Sequence, residues 1–188
     1  MDVFEVIGAL IGLTYLVLEY KANAWLWPVG VLMSLFYVII FFNGKFYADA
    51  AIYLYYIGAN VYGWYAWRRA DKKTQKAATD EIKIGYTPPK LWCKIVPVIV
   101  ILWISIFLIL KYLTDSVAPL GDAFTTAVSV VAMWMLSRKY VEQWLLWVAV
   151  NVVSMALYCW KGLYPTAILY VIYVVMSVLG YFRWRRLM

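Results

Sequence analysis

The chain has 188 residues, of which 66% are hydrophobic and only 14% charged, and its mean hydropathy is +0.76. Soluble domains are about half apolar and about a quarter charged, so this composition excludes a soluble globular protein and indicates an all-α integral membrane protein. The net charge of +7 would suit nucleic acid, but the placement of the basic residues, described below, argues against that partner.

The apolar segments are about 20 residues long, the length that a helix needs to cross a bilayer. In chain order, the predicted spans are 3–20, 23–43, 47–68, 93–113, 121–137, 141–160 and 164–183. Residues 69–92 are polar and include Pro88 and Pro89, so they are predicted to be a linker. The sequence therefore predicts one membrane domain, residues 1–188, with seven transmembrane helices.

Basic residues concentrate on one side of this predicted topology. The 17 Lys and Arg residues lie in or beside the 20–23 turn, the 69–92 linker, the 138–142 turn and the C-terminus, with three exceptions: Lys45, Lys111 and Lys161. Because positively charged segments stay in the cytoplasm, the predicted orientation is N-out/C-in. The basic excess is thus expected to face anionic membrane lipids, and no nucleic-acid partner is predicted.

The sequence contains an internal repeat with an offset of 117 residues. The offset aligns Trp27, Tyr47, Tyr53, Tyr56, Gly63, Trp67 and Arg68 with Trp144, Tyr164, Tyr170, Tyr173, Gly180, Trp184 and Arg185. Each repeat is predicted to contain three helices, at 3–68 and 121–185, and the single span 93–113 connects them. An odd connecting span makes the two repeats parallel, which predicts a 3+1+3 arrangement with a substrate site between the triple-helix bundles.

Polar and aromatic residues form stripes along four of the predicted spans, at spacings of three and four residues. The stripes comprise Ser34 and Tyr37 in the second span, Tyr53, Tyr56, Asn60 and Trp64 in the third, Trp147, Asn151, Ser154 and Tyr158 in the sixth, and Tyr170, Tyr173 and Ser177 in the seventh. Amides that face lipid are costly, so these stripes are expected to face protein or a cavity. Hydrogen bonds that only join helices are the alternative, at about 0.6 kcal/mol each.

A cavity with these walls suits a flat, cationic ring. Tyrosine and tryptophan stack on rings and offer polar tips, and each cation–π contact contributes about 0.5–2 kcal/mol. Two further residues are candidates for the site. Trp134 lies inside the fifth span, and Glu19 can serve as a counter-charge for a cation, unless it pairs with Lys21 or Arg138.

The sequence lacks the motifs of enzymes and of energy-coupled pumps. It contains no histidine, no Walker A loop and no Gly-x-Ser-x-Gly motif, and the spans contain no chain of carboxylates for proton transfer. Neither an enzyme activity nor a cofactor or metal site is predicted.

Four segments resemble the PnuC family of bacterial vitamin transporters over nearly the whole chain. They are WPVG at 27–30, FYADAAIYLYY at 46–56, YGWYAW at 62–67 and LYPTAILYVIY at 163–173. The resemblance implies a 3+1+3 fold akin to the SWEET bundles, a homotrimer, and a location in the bacterial inner membrane. It also implies facilitated diffusion of an unphosphorylated vitamin that a cytosolic kinase then traps. Asn60, Trp64, Trp147 and Asn151 match the aromatic and amide site of the family.

The family carries nicotinamide riboside, thiamine or riboflavin, and the resemblance places nicotinamide riboside first. The chain is short, and its YLVLEYK stretch around Glu19 resembles the thiamine-type members, PnuT. Nicotinamide riboside and thiamine both contain a cationic aromatic ring, so the residues do not choose between them.

Overall fold

A computed structural model describes residues 3–43, 47–74 and 83–188, and these residues form seven α-helices. The helices are α1 (Val3–Tyr20), α2 (Leu26–Asn43), α3 (Tyr47–Thr74), α4 (Pro89–Leu113), α5 (Pro119–Ser137), α6 (Gln143–Trp160) and α7 (Tyr164–Arg185). They fall into two compact units, Met1–Lys83 with α1 to α3 and Ile84–Met188 with α4 to α7. Of the helices described, α4 to α7 are long and apolar enough to cross a bilayer, which confirms the all-helical membrane class.

The helices begin and end close to the predicted positions, with the largest differences around the linker. Helix α3 continues to Thr74, past the predicted end at 68, because the charged residues after the apolar stretch are good helix formers in water. Helix α4 begins at Pro89 instead of 93, since proline is well suited to the first turn of a helix. Hydropathy locates the membrane-embedded part of a helix and not its hydrogen-bonded ends.

The turns between the first two helices of each repeat have the same backbone geometry. Ala22 and Lys139, which the 117-residue offset aligns, have φ angles of 51° and 56° in the left-handed region. The amide of Asn23 donates to the Leu18 carbonyl at 2.9 Å, and that of Tyr140 donates to the Met135 carbonyl at 3.1 Å. Both turns therefore end their helix with a Schellman motif, which explains why α2 and α6 begin two to three residues later than predicted.

Within each unit, helices pack against their neighbours in chain order. In the second unit, α4 and α5 meet in a cluster that is centred on Ile95, Val131 and Met135. Helix α5 is the most buried of the four, whereas α4 is the most apolar and has a largely exposed surface. An exposed apolar surface of this kind is what a helix presents to lipid.

A short strand-like contact fixes the segment before α4 to the turn between α5 and α6. Gly85 forms an isolated parallel bridge with Tyr140, in which the Val141 amide donates to the Gly85 carbonyl at 3.0 Å. The Glu142 carboxylate accepts hydrogen bonds from the Thr87 amide at 2.9 Å and the Thr87 hydroxyl at 2.8 Å. Glu142 does not cap its own helix α6. Its carboxylate instead holds the chain just before α4.

We expect Glu142→Ala to destabilise the second unit by about 1.5–3 kcal/mol, because hydrogen bonds to a charged group are worth about that much and the Thr87 donors would be left buried. Thermal unfolding of the purified protein in detergent measures the effect. Asp122→Ala is the matched control, since the Asp122 carboxylate pairs at 3.6 Å with Lys161 at a partly exposed position and should cost under about 1 kcal/mol. Equal effects of the two substitutions would contradict the assignment.

Candidate functional site

A tryptophan pair packed on a glycine anchors the second and third helices of each repeat. In the first unit, the rings of Trp27 and Trp67 meet edge to face at 5.3 Å and 88°. In the second unit, those of Trp144 and Trp184 do so at 5.8 Å and 84°. All four rings are buried. The pairs recur because glycines stand opposite the first ring of each: a Cβ at Gly63 would overlap Trp27, and one at Gly180 would lie 2.7 Å from Trp144.

In the first unit, the predicted polar residues Ser34 and Asn60 lie buried around Gly30. The Ser34 hydroxyl donates to the Gly30 carbonyl at 2.8 Å, and the Asn60 amide nitrogen donates to the Tyr56 carbonyl at 2.7 Å. The Asn60 side chain packs so closely on Gly30 that a Cβ there would lie 2.7 Å from its Cγ. The Asn60 carbonyl oxygen is buried and accepts no hydrogen bond from the described residues.

In the second unit, the corresponding residues form a chain of hydrogen bonds. The Asn151 amide nitrogen on α6 donates to the Ser177 hydroxyl on α7 at 3.2 Å. That hydroxyl donates in turn to the Tyr173 carbonyl at 2.7 Å. The 117-residue offset aligns Ser34 with Asn151 and Asn60 with Ser177, so serine and asparagine exchange helices between the repeats. Each unit nevertheless keeps one amide and one hydroxyl at this pair of aligned positions.

Tyrosines cluster beside the amides in both units. Tyr37 stacks on Tyr53 at 5.0 Å and 25°, and Tyr53 meets Tyr56 edge to face at 5.7 Å. The second unit places Tyr158 against Tyr170 at 5.1 Å and Tyr170 against Tyr173 at 5.5 Å. Ser154 is buried on the same helix as Asn151. The structure thus brings together the tyrosines that the sequence predicts, separately in each unit.

Trp64 has a partner that the sequence analysis did not predict. The Arg68 guanidinium lies over its ring at 4.3 Å, and Trp25 packs against it at 5.9 Å. In the second repeat, Tyr181 takes the aligned position and Arg185 lies over its ring at 5.6 Å. Both repeats therefore place an arginine over the aromatic residue that lies one turn after Asn60 or Ser177. One face of the Trp64 ring is thus already used for a cation–π contact.

Trp147 and Gln143 lie one helical turn apart on α6, on the face of Asn151. The Trp147 ring is partly exposed, but its Nε1 is buried and has no hydrogen-bond partner among the described residues. Gln143 is fully buried, and both polar atoms of its side chain likewise have no partner in the described part of the chain. Gln143 was not predicted as a site residue. The 117-residue offset aligns Gln143 with Leu26, so the second repeat has an amide where the first has an apolar side chain. This difference between the repeats was the available sign of a special role.

The two remaining candidates have different surroundings. Trp134 packs against the α4–α5 cluster and lies 6.2 Å from the Tyr140 ring, contacts typical of a structural core residue. Glu19 is buried on α1, one helical turn after Tyr15. Tyr15 in turn packs beside Gly30, so Glu19 lies one turn from the level of Asn60.

Taken chemically, these residues can bind and orient a ligand. They supply aromatic faces, amide groups and hydroxyls, of which the Asn60 oxygen, the Trp147 nitrogen and the Gln143 amide are not used within the described residues. Buried polar atoms of this kind are uncommon in folded proteins, so they mark positions where a ligand or an ordered water can supply the missing hydrogen bonds.

The chain is similar in sequence to characterised transporters. It is 28% identical to the nicotinamide riboside transporter PnuC of Escherichia coli (strain K12), over 96% of this chain and 84% of the relative. It is 26% identical to the protein of the same name from Neisseria mucosa, over 96% and 71% of the two chains. It is also 27% identical to the riboflavin/roseoflavin transporter RibM of Streptomyces davaonensis, over 96% and 83%.

The fold is also similar to a solved structure. The crystal structure of the vitamin B3 transporter PnuC superposes with a TM-score of 0.75 at 25% sequence identity, over 98% of this chain and 81% of that one. The family model for the nicotinamide mononucleotide transporter matches residues 2–186, nearly the whole chain. The chain therefore belongs to the nicotinamide mononucleotide transporter family, which is the PnuC family that its motifs predict.

Proposed function

We propose that the protein takes up an unphosphorylated B-type vitamin by facilitated diffusion, with nicotinamide riboside as the substrate, thiamine as the alternative and riboflavin third. As a family member with four helices able to span a bilayer, it is a multi-pass protein of the bacterial inner membrane. The observation that carries the proposal is the pair of buried amides, Asn60 and Asn151, each beside a cluster of tyrosines. Such walls bind a ring and its polar substituents.

The charge of the buried residues favours an unphosphorylated substrate, although the family model is named for the mononucleotide. Among the side chains whose burial the structure describes, the charged one that is buried is Glu19, an acid with 3% of its surface exposed. A phosphate needs buried Lys or Arg partners, because an unpaired buried charge is very costly. A cationic ring can instead use Glu19 and the aromatic faces. The buried acid therefore favours nicotinamide riboside and thiamine over their phosphates.

The names of the relatives support nicotinamide riboside as the first of the three substrates. Two relatives are named nicotinamide riboside transporters and one a riboflavin/roseoflavin transporter. Nicotinamide riboside combines that support with the cationic ring, whereas riboflavin is uncharged and larger. Thiamine remains the alternative because its charged ring suits the same walls.

We infer that the substrate contacts lie on the predicted stripes, with Asn151 and Trp147 at their centre. The stripe residues are Ser34, Tyr37, Tyr53, Tyr56, Asn60, Trp64, Trp147, Asn151, Ser154, Tyr158, Tyr170, Tyr173 and Ser177, and Glu19 and Trp134 are the two candidates outside the stripes. We also propose seven transmembrane spans in a parallel 3+1+3 arrangement, the N-out/C-in orientation and a homotrimer. A cytosolic kinase is the functional partner that would keep the imported vitamin inside the cell.

Transport without energy coupling is directly measurable. Proteoliposomes that contain the purified protein should equilibrate labelled nicotinamide riboside without ATP or an ion gradient, and internal unlabelled vitamin should accelerate entry by counterflow. The recovered vitamin should be chemically unchanged, which distinguishes a transporter from a membrane-embedded enzyme. Accumulation above the external concentration under a proton or sodium gradient would contradict facilitated diffusion. Absence of saturable binding of any of the three vitamins would favour a structural helix bundle.

A further inference from the structure

The direction of the hydrogen bonds between α6 and α7 fixes which end of the Asn151 amide is free. The Ser177 hydroxyl has a single proton, and it donates this proton to the Tyr173 carbonyl four residues earlier at 2.7 Å. Toward Asn151 the hydroxyl can therefore only accept. The amide nitrogen must face Ser177, as the 3.2 Å contact has it, and the Asn151 carbonyl oxygen points away. Among the described residues, no hydrogen-bond donor to that oxygen is found.

In the first unit, a different hydrogen bond gives the amide the same orientation, with its nitrogen bonded and its oxygen unbonded. There the Asn60 amide nitrogen donates directly to the Tyr56 carbonyl at 2.7 Å. Tyr56 and Tyr173 are aligned by the 117-residue offset, so the aligned carbonyl holds the amide nitrogen directly in the first unit and through the Ser177 hydroxyl in the second. In both units the carbonyl oxygen is left over. The two repeats use different hydrogen bonds to hold the amide nitrogen, and both leave the amide oxygen available. This agreement indicates that the oxygen is the end of the amide that contacts the ligand.

We propose that Ser177 is a positioning residue that turns Asn151 so that its oxygen, an acceptor, is presented to the ligand. The site then selects a ring substituent with an N–H donor, such as a primary carboxamide, over a substituent of similar shape that can only accept. This inference rests on the proposed function, because it assumes that Asn151 contacts the vitamin. A substituent without a donor would place two acceptors against each other and leave the Asn151 oxygen without a partner in the occupied site.

The matched ligand pair is nicotinamide riboside and the riboside of methyl nicotinate. Both have the same cationic ring and sugar and the same net charge, but the ester has no N–H donor. Calorimetry measures the binding of each ligand to the purified protein in detergent. The two dissociation constants give the amide-to-ester ratio. The wild-type protein should bind the amide about tenfold more tightly or better, the usual discrimination of one buried hydrogen bond.

The test variant is Ser177→Ala. Without the hydroxyl, nothing holds the Asn151 amide in one orientation, and it can rotate to offer its nitrogen to the ester. We expect the amide-to-ester ratio to fall about tenfold. Ser177→Thr keeps a hydroxyl that bonds the carbonyl four residues earlier and should restore the ratio. Ser137→Ala is the control, since the Ser137 hydroxyl also bonds a carbonyl of its own helix, at 2.6 Å on α5, and its loss should leave the ratio unchanged.

The possible outcomes separate this inference from the proposed function. If the wild-type protein binds none of the vitamins, the proposed function fails. If it binds the amide and the ester equally, or if Ser177→Ala weakens both equally with the ratio unchanged, vitamin binding stands but the positioning role is wrong. Should Ser177→Ala fail to fold, Ser177→Cys is the second variant, because a thiol is of similar size and a much weaker hydrogen-bonding group, and the same fall in the ratio is required of it.

Discussion

Gly63→Ala is expected to destabilise the protein by about 3 kcal/mol, the upper end for an overpacked core. The new Cβ would overlap three atoms of the Trp27 indole ring. Trp27 has no room to retreat, because it is fully buried and packs edge to face on Trp67 at 5.3 Å. A lower thermal midpoint in detergent, together with a smaller yield of monodisperse protein, measures the effect.

Gly58→Ala is the matched control on the same helix. Nothing lies within 4 Å of a Cβ at Gly58, and the position is exposed. Alanine there should be neutral or stabilise the protein by up to about 1 kcal/mol, because glycine is the poorer helix former. If Gly63→Ala and Gly58→Ala behave alike, the close packing of Trp27 on Gly63 is wrong.

A second substitution distinguishes overlap with the ring from other effects of the new methyl group. In the background of Gly63→Ala, Trp27→Leu removes the ring that the methyl group would strike. The double variant should be more stable than the sum of the two single effects predicts, since the residues are in contact. Gly180→Ala tests the same packing in the second repeat, where the Cβ would lie 2.7 Å from Trp144.

The helices and their repeat were predictable from the sequence because both depend on residue type and spacing. Apolar length located the helices, and the 117-residue offset aligned Trp27 with Trp144 and Gly63 with Gly180 before any packing was known. The structure adds that these residues touch each other in each unit. The spacing of residues predicts which face of a helix is buried. The repeated pairing of a glycine with a tryptophan predicts which residues are in contact across that face.

Other features were out of reach because they depend on chain segments that are distant in sequence. The bond from Thr87 to Glu142 joins a linker to a turn 55 residues later, and no spacing rule connects them. Gln143 was missed because it is next to a turn and outside the repeated pattern, where Leu26 stands in the first repeat. The alignment of the two repeats shows that serine and asparagine exchange helices. The direction of each hydrogen bond that they form is known only from the coordinates.

Asn151→Ala and Trp147→Ala are expected to weaken nicotinamide riboside binding by about tenfold or more each. Asn151 would lose the hydrogen bond to the ligand, and Trp147 would lose both a partly exposed ring and the Nε1 donor that has no partner among the described residues. Quenching of tryptophan fluorescence or calorimetry measures the dissociation constant. Trp160→Ala is the control for Trp147, because Trp160 lies on the same helix with 66% of its surface exposed and should leave binding unchanged.

Stability measured on the same variants decides between a binding site and hydrogen bonds that only hold helices together. The Asn151–Ser177 bond joins α6 to α7, and a bond between membrane helices is worth about 0.6 kcal/mol on average. If Asn151 serves the ligand, its replacement should therefore change binding far more than the thermal midpoint of the ligand-free protein. If Asn151→Ala instead unfolds at a markedly lower temperature yet binds the vitamin normally, the amide serves packing. Normal binding by Asn60→Ala, Trp64→Ala and Trp147→Ala as well would then place the substrate elsewhere, because these residues are the remaining matches to the site of the family.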